Sequence, residues 1–214
     1  MSWDRLWALL IDYRAEGVWN QYQDVDLALE RPDGAEIRRR NLQHYLEIFA
    51  DARYILVGEA AGYAGCRFSG IPFTCEAQLV GPERLPWTVQ SQGSGNGVLA
   101  RSSVRDSLWV EMSARIVWGA LGTRRDCLLW NAFPWHPHRL GEPLTNRAPG
   151  RNLKDGLEVL VCLLDLFPDA EACAVGRVAQ RALAQIGVTA RYIRHPSHGG
   201  KPRFVAGVEA LPQR

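Results

Sequence analysis

Short runs of strand-forming residues, each too brief for a helix, alternate along this chain with longer stretches of helical period. The runs are Tyr54–Val57, Cys127–Trp130, Ala172–Val175 and Arg191–Arg194. Between and around them, apolar residues recur every three or four positions. Residues 2–16 do so through Trp3, Leu6, Trp7, Leu10 and Tyr13, and residues 35–51 through Ile37, Leu42, Tyr45, Leu46 and Phe49, with Arg38 to Arg40 facing outward. Further helices are predicted over 105–121, with Trp109, Met112, Ile116 and Leu121 inward, over Asn152–Phe167, over Gly176–Ile186 and over Pro202–Leu211. Strands that alternate with helices and lack two-residue hairpin signals pair in parallel, with helices covering both faces. The sequence therefore predicts an α/β three-layer sandwich around a four-stranded parallel sheet. A long irregular stretch, roughly 59–103, interrupts the pattern, and its SQGSGNG segment (Ser91–Gly97) reads as a mobile surface loop.

Composition narrows the class. A chain of 214 residues with 47% hydrophobic and 22% charged residues can bury a core without staples. The five cysteines, Cys66, Cys75, Cys127, Cys162 and Cys173, form no C-x-x-C pair. That spacing argues against a disulfide framework and for a reducing compartment. The opening MSWDRLWALLIDY carries Asp4 and Asp12 and has no basic start, so it does not read as a signal peptide, and no stretch approaches a membrane span. A cytoplasmic, soluble protein is expected, with no membrane partner and no sign of an obligate oligomer. The net charge is only +2, but its distribution is uneven. No Asp or Glu occurs from Ala172 to Val208, while Arg177, Arg181, Arg191, Arg194, Lys201 and Arg203 do; Arg139, Arg147, Arg151 and Lys154 make a second basic cluster. Such local fields attract phosphates without making the whole chain basic.

Three segments break into Gly, Pro, Asn or His where strands end, and in parallel sheets those ends line the ligand crevice. In the first, Gly58 and Gly62 permit a sharp turn and close approach of a ligand, and Glu59 is presented as a base or an electrostatic stabiliser. A plain turn or a phosphate-binding loop would use the same glycines. Downstream, Phe73 suits stacking on a flat heterocycle, although a single phenyl ring is more often core. In the second, Asn131 follows an apolar strand; its amide matches a base edge through paired donor and acceptor, or caps a turn. In the third, His195-Pro-Ser-His-Gly-Gly200 offers an imidazole able to donate to a developing anion, then a hydroxyl and free amides suited to phosphate. The histidines at 136, 138, 195 and 198 match no familiar zinc spacing, and no metal is expected.

Taken in order, Gly58-Glu59-Ala60-Ala61-Gly62, Phe73, Leu128-Leu-Trp-Asn131 and His195-Pro-Ser197 resemble the uracil-DNA glycosylase superfamily over roughly residues 53–205. The resemblance implies one domain over 1–214, with 1–52 as an N-terminal helical part. It implies a monofunctional DNA N-glycosylase, a hydrolase of base excision repair that cuts uracil or a related deaminated base from DNA. Glu59 and His195 would be catalytic, with Glu59 stabilising the sugar cation or orienting water and His195 stabilising the departing base. Gly58, Ala60, Phe73 and Asn131 would bind the base. Pro196, Ser197, Gly199, Lys201 and Arg203 would hold the DNA backbone. The chain departs from the family where a proline is usual (Ala61) and where some members carry Asp (Ala60). The branch with a G-E-x-P-G motif often holds a four-cysteine iron–sulfur cluster, whose spacing is lacking here, so no cofactor is expected. After His195-Pro-Ser197, where some relatives place an apolar wedge, stands His198-Gly-Gly200; Phe204 or the 84–103 loop would have to fill the gap. Two other classes remain open: a domain of this fold that binds damaged bases or nucleotides without cleaving, and a small-molecule enzyme using Glu59 and His195 as acid and base.

Overall fold

The computed structural model describes residues 2–90 and 99–213, so the SQGSGNG segment lies outside the described residues. In chain order the main elements are α1 (Trp3–Asp12), β1 (Val18–Trp19), α2 (Gly34–Ile48), β2 (Tyr54–Ala60), α3 (Cys66–Ser69), α4 (Glu76–Leu79), α5 (Pro86–Gln90), α6 (Met112–Leu121), β3 (Cys127–Phe133), β4 (His136–Pro137), α7 (Leu153–Leu166), β5 (Glu171–Val175), α8 (Arg177–Gln185), β6 (Arg191–Ile193) and α9 (Lys201–Glu209). The sheet is four-stranded and parallel in the order β3-β2-β5-β6, as the alternating pattern predicts. All seven residues of β3, at one edge of the sheet, and the first five of the inner strand β2 are buried, as strands of a parallel sheet covered on both faces are. Helices α7 and α8 pack against the sheet, α1 against α7, and α9 against β6 and α6. Tyr45 of α2 reaches β3 directly, its hydroxyl accepting the Leu129 N–H at 2.6 Å.

Several local expectations need correcting. The helix expected over 105–121 begins only at Met112, and residues 105–111 are irregular. Trp109 stacks on Phe68 outside any helix, and Met112 is exposed rather than inward. Arg38, placed outward by helical spacing, is fully buried. The chain between α1 and α2 and the segment around Ser102 cover that face of α2. They supply the carbonyls of Gln21 and Asp24, the Ser102 hydroxyl and the carboxylate of Glu30, which meets Arg38 at 3.0 Å. A two-stranded antiparallel ribbon, Val18 opposite Pro137 and Trp19 opposite His136, was not anticipated; two-residue strands carry no readable period. Phe204 cannot be a wedge, because it is completely buried in α9.

Candidate active site

Strands β2 and β3 run past the points where the sequence seemed to break. Gly58 and Glu59 lie inside β2, and Asn131 is the fifth residue of β3, directly opposite Gly58. The glycine is therefore required for space, not for a turn. A Cβ on Gly58 would run into the ring of Phe73 and stand 2.9 Å from Asn131 Oδ1. Phe73 is held there in a left-handed conformation (φ 51°), strained for a residue with a side chain and of the kind that gathers at functional sites. Gly62, too, is needed for clearance: a Cβ would meet the carboxylate of Glu111.

His195 lies two residues beyond β6 and is admitted by Gly176, whose hypothetical Cβ would stand 3.1 Å from that of His195. Its Nδ1 accepts the Ser197 N–H at 3.2 Å and lies 2.7 Å from Ser197 Oγ. A nitrogen that accepts a backbone N–H carries no proton, so the neutral ring is the Nε2–H tautomer. Burial, helped by Arg194 and His198, pushes its pKa down to about 4, leaving the ring neutral at pH 7. Burial also pushes the Glu59 carboxyl up, with Arg181 opposing.

Glu59, Ala60, Phe73, Asn131, His195 and Ser197 line one cavity of about 330 Å³, at the small end of the range of about 300–1,000 Å³ typical of ligand sites. Asn131 is 2% exposed, yet among the described residues its amide makes no hydrogen bond. A buried amide without partners is costly unless a ligand completes it. Gly62, expected to let a ligand approach, and Arg147, noted only for its charge, also line it, and sequence reasoning missed Ala61, Glu111, Ser113, and Asn146 and Ala148 of the loop after β4. That loop is tied to the glycine turn, since Asn146 Oδ1 accepts the Tyr63 N–H at 3.0 Å. His136 bridges the same parts, with Nδ1 2.9 Å from the Ala61 carbonyl and Nε2 3.1 Å from that of Pro143.

A wider groove of about 660 Å³ shares Glu59, His195 and Ser197 with the cavity and adds Arg177, Arg194, His198 and Arg203. Lys201 instead lines a separate hollow between α6 and α9, and Gly58, Pro196 and Gly199 line neither the cavity nor the groove. Gly58 and Gly200 act from behind: Gly200 is seated where a Cβ would strike the His195 carbonyl, so it fixes the turn that aims His195. The five cysteines are buried and distributed over separate elements, a donor set unsuited to a cluster, and no group of three His, Cys, Asp or Glu among the described residues is arranged to hold a metal ion. No helix among the described residues is long and apolar enough to cross a membrane.

A cavity at the carboxyl ends of a parallel sheet, lined by an amide, an aromatic ring, a carboxyl and a neutral imidazole beside a basic groove, defines the class as an α/β fold with a candidate ligand site at that edge. The chain belongs to the uracil DNA glycosylase superfamily, whose sequence model matches residues 46–209. Members of that superfamily are DNA glycosylases, and the chain's family supports an activity of that broad type. Twelve solved chains match the fold. One, the crystal structure of wild-type SMUG2 from Pedobacter heparinus, does so with a TM-score of 0.62 at 12% identity, covering 97% of this chain and 95% of that one. At that identity the likeness establishes the fold alone. No curated protein sequence matches.

Proposed function

We propose that this protein is a monofunctional DNA glycosylase that hydrolyses the N-glycosidic bond of uracil or a related deaminated base. The observation that carries the reading is the buried, unpartnered amide of Asn131 facing the same cavity as Phe73 and His195. An extruded nucleotide would enter the cavity and stack against the Phe73 ring, its edge completing the amide of Asn131. Extrusion costs a few kcal/mol, which stacking and edge hydrogen bonds offset. As the bond from C1′ to the base breaks, the electron pair leaves with the base. Nε2–H of His195 is already in the neutral state that donates to the resulting anion without first losing or gaining a proton. Glu59 would stabilise the positive charge that develops on the sugar, or accept a proton from the attacking water. Ser197, Arg203 and the neighbouring Arg177 and Arg194 line the groove along which the strand's phosphates would run.

Single-turnover cleavage of strands carrying uracil, hypoxanthine or xanthine tests this, with an abasic strand and a free base as products. Glu59→Ala should lower the rate by roughly a hundredfold or more, the usual scale for a positioned charge or proton carrier. Asn131→Ala should reduce discrimination between the damaged base and its undamaged counterpart. Wild-type rates in both variants, or no abasic product at any excess of protein, would refute the assignment.

A further inference from the structure

The cavity contains a second carboxyl, Glu111, for which the scheme above has no task. It sits at the N-cap of α6 but does not cap that helix. Its side chain turns instead toward the Gly62–Gly65 turn, where both glycines leave room: a Cβ at either position would collide with one of its oxygens. Among the described residues it forms no ion pair, its hydrogen-bond partner is Ser113, and Arg147, which shares the wall, spends its guanidinium on the carbonyls of His138 and Gly17. A carboxyl placed in a ligand cavity without a counter-charge, on a turn cleared of side chains for it, is not explained by folding.

We infer that Glu111 is a specificity-determining group of this pocket, reading the lactam edge of the base, a ring N–H beside a carbonyl, in addition to Asn131. This rests on the glycosylase reading. An ionised carboxylate only accepts hydrogen bonds and would repel a base carbonyl. A neutral carboxyl offers one donor and one acceptor side by side, and so matches N–H and C=O together. Burial pushes Glu111 upward, toward that neutral form, with only the Ser113 hydroxyl opposing. The other titratable groups near it are Cys66 on α3 and Cys75 before α4, and Glu59 on β2, Arg147 on the loop after β4 and His195 line the same cavity. Of these, Cys66 and Cys75 are held as thiols by burial and His195 is neutral; Arg147 is a cation, but its guanidinium is directed to the carbonyls of His138 and Gly17, and burial remains the larger influence on Glu111.

Binding rather than cleavage isolates this role. The probe is a DNA strand with a single 2′-fluoroarabino-uridine, which resists hydrolysis, compared with the same strand bearing the cytidine analogue, between about pH 5.5 and 8.5. Wild-type preference for the uridine strand should decline as pH rises and Glu111 ionises. Glu111→Gln keeps a donor and an acceptor at every pH, so its preference should persist without that decline. Glu111→Ala should lose roughly tenfold to a hundredfold in affinity for the uridine strand, the worth of one paired edge. If the wild type shows no preference and also leaves no abasic product on strands carrying uracil, hypoxanthine or xanthine, the glycosylase reading falls and this inference with it; no preference from a protein that does cleave overturns the inference alone. If the wild type prefers uridine but both variants match it in affinity and pH profile, the inference alone is overturned. Should the alanine variant fail to fold, the pH profile of the glutamine variant decides.

Discussion

Gly58 governs the cavity from beneath. It is paired across the sheet with Asn131, and the space its missing Cβ leaves is filled by the Phe73 ring. Gly58→Ala must therefore move the ring, the amide or both, and packed interiors yield to such insertions at a cost of about 1–3 kcal/mol. Activity should suffer more than stability, because displacing a stacking platform by an ångström spoils the alignment on which the chemistry depends. The expected result is a fall in single-turnover cleavage of about a hundredfold with a folded, cooperatively melting protein. A variant that cleaves normally would mean that Phe73 does not need its place above Gly58. At this scale the sequence carried much of the information. Glu59, Phe73, Asn131 and His195 were each notable for type and position, and all four line one cavity. Glu111 left no such mark, because its neighbours Trp109 and Met112 lie at helical spacing and so hid the irregular segment that turns the carboxyl inward.

At the scale of elements, α2 and α3 are joined by buried charge. Glu30, Arg38 and Arg67 are all completely buried, with Glu30 at 3.0 Å from Arg38 and 3.8 Å from Arg67. The Arg67 guanidinium lies over the rings of Trp19 and Phe68, at 4.4 and 4.3 Å from their centroids, and among the described residues none of its nitrogens makes a hydrogen bond. Glu30 is thus within 4 Å of both buried cations, with Asp24, Asp26 and Glu76 acting on them from farther away. Removing one partner of a buried ion pair strands the other and costs about 3–5 kcal/mol. Glu30→Gln should cost at least that in urea denaturation, since two cations are left, while Arg31→Ala, which loses only the exposed pair with Asp33, should stay within about 1 kcal/mol. Equal losses in both would show that Glu30 carries no more weight than a surface charge. This cluster is also where sequence reading failed most plainly. Helical spacing describes one element at a time, and Arg38 is buried by segments that precede α2 and by others far beyond it. The parallel sheet was legible because β2 and β3 open on continuous apolar runs; the β1–β4 ribbon, built from two residues on each side, was not.

For the whole molecule, the same burial that builds the site sets opposing demands on pH. Glu59 and Glu111 have carboxyls raised by burial, so the folded state holds protons that the unfolded chain has released. Their contribution is present below the ordinary carboxylate value and is lost as pH rises through the raised values. His136 and His195 act in reverse. Burial lowers each from 6.5 to about 4, so their contribution is present above 6.5 and is lost as pH falls toward about 4. Because the two sets titrate in overlapping windows, the overall stability profile conceals both, and a single variant is needed to separate them. His136 is the better choice, being fully buried and outside the cavity lining. Its two ring nitrogens face the carbonyls of Ala61 and Pro143, an arrangement that on its own would favour the doubly protonated cation, whereas desolvation is the larger effect and favours the neutral ring. If desolvation wins, the stability difference between wild type and His136→Gln should shift in favour of wild type by of order 3 kcal/mol between pH 4 and 6.5, the equivalent of a fall from 6.5 to about 4. Urea denaturation of both proteins across that interval measures it. A shift of opposite sign would mean that the two carbonyls hold a cation between the glycine turn and the loop after β4, and that the positive charge beside the cavity is larger by one than its arginines alone provide.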